Sequence, residues 1–203
     1  VLRGYGFTPY KTHKGNVVCE IGGEGHPLVV AAHVDTLGAM VRSIKPNGRL
    51  RFTAIGGYPA NNVENETCDV HTRDGRTYTG TFYLTTPASH VYKGIPDIKR
   101  DDTTIEVVLD ENVSTKEDVR ALGIEVGGFI SLDPRAFNTP SGYIKSRHLD
   151  DKASASVLLA LAKMVSAGDL TLSRKIYLVF TVHEEVGHGC AAGLPEDSEG
   201  FPS

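Results

Sequence analysis

Tryptophan is absent from the 203 residues, methionine occurs twice and cysteine only three times. Cys19, Cys68 and Cys190 are odd in number and far apart, which excludes a disulfide framework and a cysteine-rich zinc site. They read as small buried hydrophobes in a reducing setting, so a cytoplasmic location is expected. No apolar run approaches the ~20 residues of a membrane span, and no signal-peptide pattern stands at the start. There is no Gly-x-Gly-x-x-Gly, no P-loop and no Gly-x-Ser-x-Gly elbow, which leaves nucleotide binding and serine-hydrolase chemistry without a motif. Internal repeats and low-complexity tracts are also missing. Positive charge is not in excess. The 21 Lys and Arg face 25 Asp and Glu, a formal net charge of −4, which argues against nucleic-acid and membrane partners. What is present is a globular composition, 40% hydrophobic and 23% charged, in a chain long enough for one large or two small domains.

The hydrophobic pattern changes character twice along the chain. Residues 1–57 read as mostly β: strands over 16–21 and 28–32, then two strands over 38–44 and 50–55 joined by the hairpin turn Lys45-Pro46-Asn47-Gly48. Residues 58–146 are rich in Thr, Val, Gly and Asp. There Asp74-Gly75 joins strands over 68–73 and 77–84, and further strands cover 105–109 and 129–132. Ser114-Thr115-Lys116-Glu117 predicts a capping box on a helix that stops at Gly123. From Leu149 the pattern is α/β again, with an Ala- and Leu-rich helix over 152–166 stopped by Gly168, and a strand over 175–182. The terminal stretch from Pro195 reads as loop. The simplest arrangement is a discontinuous α/β domain over residues 1–57 and 147–203, with a β-rich, barrel-like domain inserted over residues 58–146.

Three short motifs carry the chemistry: Ala32-His33-Val34-Asp35, Leu149-Asp150-Asp151 and His183-Glu184-Glu185. The outer two follow the apolar runs Leu28–Ala32 and Ile176–Val182, which read as buried strands. Ligands in open α/β sheets bind past the carboxyl ends of the strands, so His33 and the Glu184-Glu185 pair are expected to meet in one crevice. Imidazole plus several carboxylates is a donor set for Zn²⁺, Co²⁺ or Mn²⁺. Asp35 is placed to hold the other ring nitrogen of His33. Asp150 and Asp151 read as a helix N-cap with an acidic first turn, but a carboxylate there can also bridge two cations ~3.5–4 Å apart. Two acids directly after an apolar strand are costly to bury unless they meet cations. The strand must therefore end or twist there, and Gly187 and Gly189 allow it. One Glu then ligates metal while the other takes a proton from water. His183 and His188 flank the pair and read as structural. His148 lies beside Asp150. No role is assigned to His13, His26, His71 or His90.

Taken together, the segments Ala32–Gly38, Ile55-Gly56-Gly57, Leu149–Ala153 and Phe180–Gly187 resemble the M42 family of metallo-aminopeptidases, which includes glutamyl aminopeptidases and the tetrahedral TET peptidases. Asp69–Thr72 and Leu122–Gly127 resemble stretches of that family's inserted domain. The resemblance implies a metallopeptidase-type α/β domain and roles residue by residue. His33 would bind one metal, oriented by Asp35. Asp150 would bridge two metals, Zn²⁺ or Co²⁺. Glu184 would be the general base and Glu185 a ligand of the other metal. The substrates would be peptides, cut at their N-terminal residue, and the inserted domain would build a homo-oligomer, in the family a large dodecamer. His183 stands where relatives often carry Gln, and Lys152 where Arg is common. The resemblance also implies a further Asp and a further His downstream of the Glu pair. Beyond Glu185 this sequence has only Glu196, Asp197 and Glu199 as acids and no His after His188, so both are expected beyond Ser203.

Two rival readings stand beside the two-metal aminopeptidase. Proteins resembling this family are sometimes labelled endoglucanases, but a glycosidase needs carboxyl groups ~5–5.5 Å or ~6.5–9.5 Å apart across the sugar bond. A sequence-adjacent Glu pair is poorly suited to that. The other rival is an inactive fragment with an assembly or regulatory role, which predicts weak metal binding, no turnover, and oligomerisation through residues 58–146.

Overall fold

The computed structural model describes residues 1–190, 193–195 and 198–201. Its elements, in chain order, are the strands β1 (Tyr10–Lys11), β2 (Val17–Gly22), β3 (Leu28–His33), β4 (Gly38–Ile44), β5 (Leu50–Ile55), β6 (Thr67–His71), β7 (Thr77–Leu84) and β8 (Ile105–Leu109), the helix α1 (Lys116–Ala121), the strands β9 (Phe129–Leu132), β10 (Phe137–Asn138) and β11 (Ile144–Lys145), the helix α2 (Leu149–Ala167), and the strands β12 (Ile176–Thr181) and β13 (Glu199–Phe201). Three short 3₁₀ turns complete the list. The chain forms two compact units, Val1–Thr36 with Ala136–Ser203, and Leu37–Arg135. Among the described residues no helix is long and apolar enough to cross a membrane.

The first unit is α/β. Its sheet has the order β1-β2-β12-β3-β13, with β3, β12 and β13 parallel and β2 antiparallel to β12. The run Leu28–Ala32 is continuously apolar because both faces of β3 are covered. Ala32 joins the cluster of Leu178, Phe180 and the α2 residues Ala155, Leu158 and Ala162. Val29 and Ala31 pack instead with Val18 and Val179. Ala155, Leu158 and Ala162 lie at helical spacing on one face of α2, which is how a single helix covers one side of the sheet. Burying a Leu such as Leu158 or Leu178 is worth roughly 1.5–3 kcal/mol. The helix stops at Gly168, at φ 80°, whose N–H returns to Met164 and Val165 carbonyls, a left-handed cap that favours glycine.

The terminal stretch expected as loop carries a strand. Residues 199–201 pair in parallel with Leu28–Val30. Nothing in Glu199-Gly200-Phe201 has a strand pattern of its own; an open edge of β3 supplies the backbone partners.

The second unit is a closed barrel of order β4-β5-β8-β7-β6-β9. Its ends lie at residues 37 and 135, whereas the composition suggested 58 and 146. The reason is long-range pairing. The β4–β5 hairpin pairs with β9 through Gly38↔Ser131 and Met40↔Phe129 and with β8 through Leu50↔Val107, closing the ring. Phe52 and Phe82 meet edge-to-face in the interior, with centroids 4.9 Å apart. Gly80 of β7 is required by close approach, since a Cβ there would lie 2.8 Å from the Val108 carbonyl oxygen. The helix cap is shifted by one residue from the expected Ser114–Glu117 box. The Thr115 hydroxyl accepts the Asp118 N–H at 3.1 Å, and Asp118 Oδ2 accepts the N–H groups of Thr115 at 2.8 Å and Ser114 at 2.9 Å. The shorter Asp reaches two backbone donors at once.

Glu106 of β8 is 2% exposed, with Lys45 Nζ 2.6 Å away and Arg49 beside it. Burial alone would push its carboxyl up, but the bonds from Lys45 and Arg49 hold it below the usual value.

Candidate functional site

The site is built within the α/β unit where two parallel strands end together. β3 and β12 run side by side with His33 beside Thr181, and the ladder finishes as the Val34 N–H donates to the Thr181 carbonyl at 2.9 Å. After Thr181 the strand turns away sharply. His183 sits at φ 68° and Gly187 at φ 83°, and the Gly187 and His188 N–H groups close back onto the Glu184 and His183 carbonyls. This turn releases Glu184 and Glu185 from the alternation of a regular strand. The two glycines anticipated for this bend have different tasks. Gly187 takes the left-handed turn, while Gly189 lies against Glu184, where a Cβ would come 3.2 Å from Glu184 Cγ. The first left-handed residue is His183, a position that glycine would occupy more easily.

At the other side of the site α2 begins irregularly. Asp150 and Asp151 lie inside its span but have non-helical dihedrals, and the peptide between them is cis. His148, at the N-cap, makes no side-chain cap bond. Asp151 does not cap the helix either; its Oδ2 accepts the His33 N–H at 3.2 Å.

His33 is the hub. Its imidazole is 3% exposed, while the Asp150 carboxylate is 90% exposed. Nε2 lies 2.9 Å from Asp150 Oδ1 and 3.7 Å from Glu184 Oε2. Nδ1 lies 3.2 Å from the Asp35 carbonyl oxygen and 3.6 Å from Asp35 Oδ1. The backbone of Asp35 thus holds the ring more closely than its carboxylate does. The carboxylate instead joins the two strand ends, Oδ2 accepting the Glu185 N–H at 3.1 Å, while Oδ1 is buried without a hydrogen bond. Burial alone would push the His33 pKa down, but the bond to Asp150, the Asp35 carbonyl and the charges of Glu184 and Asp35 raise it above its ordinary value.

The expected residues are therefore brought together unequally. His33, Asp150 and Glu184 converge through side chains; Glu185 is tied in through its backbone. The donor chemistry, an imidazole nitrogen facing carboxylate oxygens at 2.9 and 3.7 Å, is of the kind that divalent cations take. A neutral His33 with its proton on Nδ1, facing the Asp35 carbonyl, leaves the Nε2 lone pair toward the two carboxylates. Among the described residues no group of three or more His, Cys, Asp or Glu side chains is placed to hold a metal ion by itself. Two participants were not expected. Asp151 reads in sequence as a helix-capping acid, and its burial against a backbone N–H 118 residues away leaves no local signal. Thr181 reads as the end of an apolar strand, yet its buried hydroxyl lacks a hydrogen bond in the position next to His33.

Comparison with known proteins follows the same elements. YhfE of Bacillus subtilis (strain 168) is 40% identical over 190 residues, 93% of this chain and 55% of that protein. The structure of an aminopeptidase from the archaeon Desulfurococcus kamchatkensis superposes with a TM-score of 0.75 at 31% identity, covering 89% of this chain and 47% of the other. A TET peptidase of Pyrococcus horikoshii, described as assembling into a tetrahedron or a large octahedral shell, gives a TM-score of 0.75 at 25% identity over 89% of this chain and 52% of that one. The chain thus spans about half the length of these relatives. Residues 15–199 match the profile described as M42 glutamyl aminopeptidase, and the chain belongs to the M42 peptidase family.

Proposed function

We propose that this chain carries one side of a two-metal aminopeptidase site that removes N-terminal residues from peptides. The supporting observation is the convergence of the Asp150 and Glu184 carboxylates on the buried His33 Nε2, at 2.9 and 3.7 Å, at the carboxyl ends of parallel strands, in a member of a peptidase family. His33, Asp150 and Glu185 would hold the metal ions, with Asp150 shared between two and further donors completing the cage. Bound Zn²⁺ or Co²⁺ would supply Lewis acidity toward a peptide carbonyl and acidify water. Asp35 keeps the His33 ring turned so that Nε2 faces the site. Glu184 is the general base: its carboxylate takes a proton from the attacking water and delivers it to the leaving amine. Gly189 leaves room for the Glu184 side chain, since a Cβ there would come 3.2 Å from Glu184 Cγ.

The relatives' assembly supports a homo-oligomer, a dodecamer on the TET pattern, with the barrel as the assembling unit. Three unpaired cysteines suit a cytoplasmic setting. A second reading, an assembly piece without turnover, is favoured by the lack of a self-sufficient metal cage among the described residues.

The experiment is hydrolysis of an aminoacyl-chromophore panel with added Co²⁺ or Zn²⁺ and a chelator control. Chelator-sensitive turnover that Glu184→Gln lowers by roughly 10²–10⁴-fold is the expected result. Metal-dependent turnover that survives Glu184→Gln removes the assigned base, and no turnover in any metal leaves the assembly reading.

A further inference from the structure

We propose that Asp151 and Lys152 form a positioning clamp that holds the end of β3, and with it the His33 imidazole, against the start of α2. The proposal builds on the metal-site reading above. It begins with a shortage of backbone partners. Val34 sends its N–H to Thr181 across the β12 side, so the preceding N–H, that of His33, points to the other side. Among the described residues β13 pairs with Leu28–Val30, and the acceptor found for the His33 N–H is a side chain. Asp151, 7% exposed, supplies it: Oδ2 accepts this N–H at 3.2 Å. A buried carboxylate is costly unless it receives such donors.

The second contact lies one residue further on. The Lys152 ammonium donates to the Val34 carbonyl. In a parallel ladder the N–H that would follow onto that oxygen is the one two residues after Thr181, that of His183, where the chain has already left the strand at φ 68°; the Val182 N–H faces the other way, to Asn16 Oδ1 at 3.1 Å. Consecutive residues of α2 thus grip His33, the last residue of β3, and Val34, which follows it. Asp151 and Lys152 follow directly after Asp150, whose carboxylate meets His33 Nε2. One short segment therefore supplies a carboxylate for the site and fixes the backbone that carries the facing imidazole. Neither Asp151 nor Lys152 touches Nε2; both act through the placement of His33, and groups that orient a ligand from behind typically change metal affinity ~10–100-fold when removed.

The test uses the 203-residue chain with four substitutions, Asp151→Ala, Asp151→Asn, Lys152→Met and Lys152→Arg. Three properties are read: Co²⁺ affinity by calorimetric titration, hydrogen exchange at the His33 amide, and the thermal midpoint. Asparagine keeps an acceptor oxygen for the His33 N–H and arginine keeps a donor for the Val34 carbonyl. Both variants should retain Co²⁺ affinity and slow His33 exchange. Asp151→Ala and Lys152→Met should bind Co²⁺ ~10–100-fold more weakly, with faster His33 exchange. If Asp151→Ala does not fold, Lys152→Met, altered at an exposed side chain, decides together with the Asp151→Asn rescue. Wild-type Co²⁺ affinity and His33 protection in the folded Ala or Met variant would overturn the clamp. If the unsubstituted chain binds no Co²⁺, the metal reading falls, and His33 exchange alone decides the clamp: faster in Ala and Met and slow in Asn and Arg supports it, unchanged throughout overturns it.

Discussion

The barrel and the sheet solve the same problem, hiding β-strand backbone and apolar side chains, with different degrees of self-sufficiency. The barrel closes β4-β5-β8-β7-β6-β9 into a ring around one continuous core that includes Phe52, Phe82, Leu50 and Ile105. Closure removes strand edges altogether. The sheet is open, and its core is divided into two smaller clusters, one on each face. Both units leave large side chains exposed, Tyr143 (73%) and Val157 of α2 (65%) in the first, Val91 (64%) and Phe129 (59%) in the second. The candidate site lies on this less self-sufficient unit, at the strand ends, where the backbone lacks ladder partners and side chains such as Asp151 must supply them. A closed barrel has few such vacancies.

This contrast can be broken most forcefully at the barrel core. Phe82→Ala should remove ~3–5 kcal/mol of stability, read as lost hydrogen-exchange protection across residues 37–135, with peptides from β3 and β12 holding theirs. Equal losses in both units would show that the two do not have separate stabilities.

Acid should act on the barrel in a defined direction. The folded carboxyl of Glu106, facing Lys45 and Arg49, titrates below its usual value. The stability it contributes is fully present above the ordinary carboxylate range and is lost as pH falls through the lowered folded value. Glu106→Gln should cost about 1–3 kcal/mol at neutral pH and flatten the acid limb of a thermal-midpoint profile. An unchanged acid limb in that variant would place the acid sensitivity elsewhere.

The smallest effect is expected on the outer face of α2. Val157→Ser should change stability by no more than about 0.5 kcal/mol, because that side chain is already in water. A loss several times larger, measured by denaturant unfolding, would mean the face is covered in solution and the sheet unit is less open than it looks.

The elements themselves were legible. The runs Leu28–Ala32 and Ile176–Val182 read as strands, the turn at Lys45–Gly48 as a hairpin and Gly168 as a helix stop, because periodicity and turn chemistry act over a few residues. The three acidic and histidine motifs were legible for the same reason, as was the need for a bend before Glu184. The domain boundary was not. Nothing local in Gly38–Ile55 distinguishes a hairpin that extends the β3 sheet from one that closes a barrel, and pairing with β8 and β9 decided it. The edge strand at residues 199–201 was hidden likewise, since its partner lies at Leu28–Val30.

The sequence by itself determined which segments become strands and helices, which His and carboxylate residues are the candidates for the site, and, through motif order, the family. Tertiary structure alone decided the ring closure, the direction in which Nε2 of His33 faces, and the use of Asp151 as an acceptor for a distant N–H in place of a helix cap. The physical reason is range. Dihedral preferences and hydrophobic alternation are written residue by residue. Backbone hydrogen bonds at strand ends are settled only when segments more than a hundred residues apart meet.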